Sequence, residues 1–107
     1  MNSARIEQLK RMLKETPDDP FLHYALALEH VDESPVRARE IFEKLLTQFA
    51  DYLPAYYHAA HLFWTLEEFE KAAETFDRGI ELAIKVNDQH ALRELRNARM
   101  NFEFDTE

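Results

Sequence analysis

Residues 54–86 read PAYYHAAHLFWTLEEFEKAAETFDRGIELAIKV. In its first half, Tyr56, Ala59, Ala60 and Phe63 recur at intervals of three and four, as one face of a helix requires. Beyond the polar pair Glu67-Glu68, Phe69, Ala72, Ala73, Phe76, Ile80 and Ala83 repeat the pattern. The stretch therefore reads as two helices joined by a short turn. Ala60 and Ala72 are the small residues that would let the two helices cross closely.

The rest of the chain suits the same architecture. At 107 residues it has the length of one domain, and 46% apolar residues supply a core. One glycine and four prolines are too few turn residues for an all-β fold. With no cysteine, disulfides and thiolate metal sites are excluded. A formal charge of −8 argues against a nucleic-acid partner, because phosphate binding needs a basic surface. There is no apolar run long enough to span a membrane and no apolar signal core near the start, so a cytoplasmic location is expected.

Outward from the central pair, the chain divides at proline and acidic turn signals. Residues 3–16 form a first helix, with Ser3 as its cap and Ile6, Leu9, Met12 and Leu13 as its apolar stripe. Thr16-Pro17 ends it, since the residue before a proline avoids helical geometry. Asp19 then caps a second helix with Pro20 at its first position, and its core face reads Phe21, Tyr24, Ala25 and Leu28. Ser34 and Pro35 open a third, to Phe49, with Ala38, Ile41, Phe42, Leu45 and Leu46 inward. A turn at Asn87-Asp88 precedes a sixth helix over residues 89–103, with Ala91, Leu95, Ala98 and Phe102 inward. The tail Asp105-Thr106-Glu107 is expected to fray.

An internal repeat underlies these segments. Ala38 and Ala72, Phe42 and Phe76, and Leu46 and Ile80 are each 34 residues apart. Phe21 and Tyr56, Ala25 and Ala60, and Leu28 and Phe63 are each 35 apart, which an extra residue in the turn at 32–35 would explain. The order aromatic, small, aromatic, turn, aromatic, small, aromatic resembles the tetratricopeptide repeat, a helix–turn–helix unit of 34 residues. Tyr56, Ala60 and Phe63 fall on the markers of its first helix, and Phe69, Ala72 and Phe76 on those of its second. The resemblance implies an all-α, right-handed antiparallel helix-pair array (an α-solenoid) of about six helices. A half-repeat helix at 3–16 would precede full repeats at 20–50 and 54–86, with a capping helix at 89–103, all in one domain of residues 1–107. The family's turn glycine is replaced here by Glu67, and its late small residue is Leu45 in one repeat and Gly79 in the other.

Chemistry is hard to place on this chain. Ser3 and Ser34 stand at helix starts, where capping accounts for them. A phosphate-cradling loop cannot be built with one glycine. Asp18-Asp19, Asp32-Glu33 and Glu67-Glu68 lie at turns or helix starts, where they complement the helix dipole. His58 and His61 share a helix face, but the further ligands of a zinc site are missing, so no metal or cofactor is expected. Arg93, Arg96 and Arg99 read as an exposed face of the last helix. Some family members hold a peptide carboxylate with Lys and Asn; the matching positions here are Leu22, Leu26 and His58, so that clamp is not expected.

The sharper signal is aromatic. Tyr57, His61 and Trp64 form a stripe at i, i+4 and i+7, beside the core stripe and rotated from it by about 100°. With the 35-residue offset, Leu22 and Leu26 take the equivalent places on the second helix. In the family such positions line a concave groove, which implies a partner-binding face of Leu22, Leu26, Tyr57, His61 and Trp64. Glu29, Asp32, Glu67 and Glu68 at one rim would favour a basic, amphipathic segment. The expected function is non-catalytic protein or peptide binding, by a monomer or weak homodimer. The alternative is a structural module that homodimerises through the same apolar face.

Overall fold

The computed structural model describes residues 2–107, and the described residues form six helices with no strand. These are α1 (Ser3–Glu15), α2 (Pro20–His30), α3 (Pro35–Gln48), α4 (Pro54–Thr65), α5 (Phe69–Val86) and α6 (Gln89–Thr106). Proline opens α2, α3 and α4, where its missing N–H is no loss and its fixed φ suits a first helical residue. Asp19 and Asp88 cap α2 and α6, their side chains accepting from the backbone N–H of Phe21 and Ala91 at 3.0 Å. The cap of α1 is Asn2 rather than Ser3: its Oδ1 accepts from the Arg5 N–H at 3.0 Å. The C-terminal tail does not fray as expected, since α6 continues to Thr106, whose hydroxyl donates to the Phe102 carbonyl at 2.7 Å.

Two helices end in the same left-handed cap. Glu67 follows α4 with φ 61°, and Asn87 follows α5 with φ 58°. After α4, Glu68 N–H donates to Phe63 O at 2.8 Å and Glu67 N–H to Trp64 O at 2.9 Å. After α5, Asp88 N–H donates to Ala83 O at 2.9 Å and Asn87 N–H to Ile84 O at 3.2 Å. This paired bonding of the last carbonyls is the Schellman motif. It explains how α5, which runs on through Lys85 and Val86 without proline or glycine, stops at Asn87.

The helices cluster into two compact units, one ending at Ala50 and the other comprising Asp51–Glu107. In the first, α2 packs against both α1 and α3. Its core holds Ile6 and Leu9 from α1 and the whole expected stripe of α3: Ala38, Ile41, Phe42, Leu45 and Leu46. In the second, α4, α5 and α6 pack mutually around Tyr56, Ala60, Phe63, Ala72, Phe76, Leu95 and Phe102. Burial of a phenylalanine as complete as that of Phe42, Phe63 or Phe76 contributes about 1.5–3 kcal/mol each.

The face of α2 differs from the sequence expectation. Phe21, expected in the core, is 53% exposed, and Leu28 is exposed as well. The buried residues are Leu22, His23, Ala25, Leu26, Ala27 and His30. Helix starts explain the difference. Pro20 and Pro54 open α2 and α4 and lie 34 residues apart, as do Pro35 and Phe69, which open α3 and α5. The repeat is therefore 34 throughout, with no extra turn residue. At that offset Leu22 and Leu26 match the buried Tyr56 and Ala60, while His23, Ala27 and His30 match Tyr57, His61 and Trp64. Met12 and Phe69, also expected inward, are exposed by nearly half.

Candidate functional site

On α4, Tyr57, His61 and Trp64 are half-buried side chains lying next to the core stripe. Their rings form a continuous series. The centroids of Tyr57 and His61 are 4.5 Å apart, and His61 stacks on Trp64 at 5.5 Å with the planes inclined by 27°. The rear of the series rests on the core: His61 meets Phe76 of α5 edge-on at 5.6 Å, and Trp64 meets Phe102 of α6 edge-on at 5.4 Å. Such aromatic pairs add about 0.5–1.5 kcal/mol each beyond the area they bury. The three side chains are thus held in fixed positions by α5 and α6.

Opposite them, α6 presents Glu94, Asn97, Ala98 and Asn101, which recur at three and four along one helix face. Between the two helices lies a cleft of about 300 Å³. One wall is aromatic. The other carries a carboxylate and two carboxamides, which can bond to backbone or cationic groups. Burial holds His61 below the ordinary imidazole range, with His58 adding a smaller effect in the same direction, so the ring is neutral near pH 7. Its Nε2 is buried and has no hydrogen-bond partner among the described residues. The cleft lining contains no serine, threonine or cysteine nucleophile. Among the described residues no three His, Asp or Glu side chains converge as a metal site requires.

Of the five residues expected to form a binding face, the structure brings Tyr57, His61 and Trp64 to one cleft. Leu22 and Leu26 are core residues of the first unit, 4% and 5% exposed, and so offer no partly exposed surface. The acidic rim also differs, because the carboxylate at the cleft is Glu94, while Glu29 lies 3.5 Å from Arg5 and Glu67 forms the left-handed cap of α4. Glu94, Asn97 and Asn101 were not singled out from sequence. Their spacing on α6 was legible, but nothing in it said that this face meets the Trp64 side of α4. Of the three arginines on α6, Arg99 is anchored to Asp77 at 3.1 Å and lies over the Phe102 ring at 5.5 Å.

No protein-family model matches the chain, and no curated protein matches it. Solved structures do. The crystal structure of a tetratricopeptide repeat domain protein from Salinibacter ruber is 38% identical over 80% of this chain and 97% of that one, with a TM-score of 0.76. A solution structure of a tetratricopeptide repeat domain protein from the same organism is 39% identical over 81% of this chain and 89% of that one, with a TM-score of 0.77. The chain belongs to the tetratricopeptide repeat family. Tetratricopeptide repeats are a scaffold for protein–protein interaction, and this is the general class of the chain. Among the described residues of this tetratricopeptide repeat protein, no helix is long and apolar enough to cross a membrane.

Proposed function

We propose that the protein binds a segment of another protein in the cleft between α4 and α6, without catalysis. The observation that carries the reading is the Tyr57–His61–Trp64 series, half-exposed on one side and fixed on the other by Phe76 and Phe102. Rigid aromatic groups of this kind dominate binding energy because they lose little conformational freedom on contact. Glu94, Asn97 and Asn101 supply the polar side, suited to a basic or backbone-donating segment that inserts an apolar anchor beside Trp64. The surrounding charge favours the same ligand: residues 51–107 hold twelve acidic and six basic residues, a formal −6 of the chain's −8.

The test is peptide selection against the wild-type chain, followed by affinity measurement on Trp64→Ala and Glu94→Gln. Trp64→Ala is expected to weaken the selected peptides about thirtyfold, which corresponds to about 2 kcal/mol. Glu94→Gln is expected to weaken basic peptides selectively. Unchanged affinity in a folded Trp64→Ala protein would place binding elsewhere. Sedimentation of the wild type covers the remaining reading: self-association abolished by Trp64→Ala would assign the cleft to a second copy of the chain.

A further inference from the structure

The first unit carries a larger cleft, of about 650 Å³, between α1 and α3 with α2 beneath it. Its floor is apolar: Leu13 from α1, Leu26 from α2 and Ile41 from α3. Its rims are basic. Lys10 and Lys14 stand one turn apart on α1, and Arg37 and Lys44 stand two turns apart on α3, on either side of Ile41. The one carboxylate in the lining, Glu40, is engaged by Arg37 at 3.2 Å. We propose that this basic-rimmed, apolar-floored cleft is a second docking site, for an acidic amphipathic segment of a partner protein.

Charge is the main argument. Four cations and one anion surround this cleft in a chain whose formal charge is −8. The surface therefore reverses the sign of the molecule locally, and a field of that kind steers an oppositely charged partner to one place. The cations are also poorly compensated. Lys14 and Lys44 make no ion pair among the described residues, and Lys10 is 3.8 Å from Glu7, long for a charge-assisted bond. Like charges at i and i+4, as at Lys10 and Lys14, work against the helix that carries them. A lysine in the last turn of α1 complements the helix dipole, which accounts for Lys14 alone. It does not account for Lys10, Arg37 or Lys44. Carboxylates from a ligand would neutralise all four while apolar side chains between them covered Leu13, Leu26 and Ile41.

The same floor separates a protein segment from a nucleic acid. A single strand seeks aromatic platforms for its bases. The one aromatic ring in the lining, His23, is held by its Nε2 against the Pro17 carbonyl at 2.7 Å and packs on Phe49 at 5.5 Å. The cleft shares no residue with the Trp64 site, so each reading stands or falls by its own measurement.

The experiment is fluorescence anisotropy of the full chain with a short labelled amphipathic peptide of Glu and Leu. Its twin with Lys for Glu and a thymidine oligonucleotide of similar length serve as competitors in parallel. Saturable binding of the Glu/Leu peptide is expected, weakening as salt is raised. Lys14→Glu with Lys44→Glu should weaken it at least tenfold, and Lys14→Gln with Lys44→Gln less but in the same direction. Arg93→Glu, on the exposed face of α6, should leave it unchanged. The proposal is overturned if the peptide does not saturate at low salt or if both lysine pairs of variants bind as the wild type does. Equal binding by the Lys/Leu twin, or by the oligonucleotide, overturns it too.

Discussion

A Cβ added to Gly79 would lie 2.8 Å from the Cβ of Tyr56 and 3.2 Å from a methyl of Leu95. Three helices of the second unit converge at this point, α4 through Tyr56, α5 through Gly79 and α6 through Leu95. Real Cβ atoms do not approach that closely, and a Cβ anchored to a helix backbone cannot swing aside as a side-chain tip can.

Gly79→Ala is therefore expected to destabilise the protein by about 1–3 kcal/mol through overpacking. Helix propensity alone gives the opposite sign, since alanine is favoured over glycine in a helix interior by about 1 kcal/mol. Urea unfolding decides between them: a higher midpoint for the alanine variant would mean that α4 and α6 yield at this crossing.

Glu67 holds a left-handed conformation with φ 61°, at the place where the repeat family has glycine. A side chain with a Cβ is strained there by about 1–2 kcal/mol. Glu67→Gly should raise stability by about 0.5–1 kcal/mol, the remainder being lost to the greater freedom of glycine in the unfolded chain. Asn87→Gly should gain less, because asparagine tolerates this region better. A fall in melting temperature for Glu67→Gly would show that its side chain contributes more than its backbone costs.

Trp64 is half-buried, with one edge on Phe102 at 5.4 Å. Trp64→Ala is accordingly expected to cost about 1–2 kcal/mol, less than the 3–5 kcal/mol typical of a fully buried tryptophan. A loss at the upper figure in a thermal melt would make Trp64 a core residue and remove it from the binding surface.

Three histidines make stability depend on pH. Burial, first in each case, holds His30, His58 and His61 below the ordinary value of 6.5. Arg37 and Lys10 push His30 further down against a smaller opposing effect of Glu29, and His58 does the same to His61. A lowered imidazole pKa means that the unfolded chain takes up protons first as pH falls. The stability is fully present above about 6.5 and is lost progressively below it. His30 is buried, and neither ring nitrogen has a partner among the described residues. His30→Leu should raise stability by about 1 kcal/mol at neutral pH and flatten the melting profile between about pH 6.5 and 5. An unchanged slope would assign the pH dependence to the other two rings.

The helices were legible because their ends carry local chemistry. Pro20, Pro35 and Pro54 mark three starts, and Asp19 and Asp88 cap two. The stripe of α3 was legible because polar residues separate its apolar ones. On α2, apolar residues face nearly every direction, so periodicity could not choose a face. Matching Phe21 to Tyr56 by aromatic character displaced the register by one, and the assignment of Leu22 and Leu26 to a surface followed from that displacement. The Trp64 stripe was visible as three residues of one helix, whereas its polar opposite wall required knowing which face of α6 meets α4. The basic cleft was hidden for the same reason: Lys10 and Lys14 are separated from Arg37 and Lys44 by the whole of α2.

Trp64 is the only tryptophan in the chain, and Phe102 of α6 touches its ring. The molecule thus contains its own optical reporter, confined to the second unit and sensitive to the docking of its last helix. Tryptophan emission follows that helix alone, while far-UV circular dichroism averages over all six. Recorded on one denaturant series, the two signals report whether the halves of the chain melt as one cooperative block or in succession.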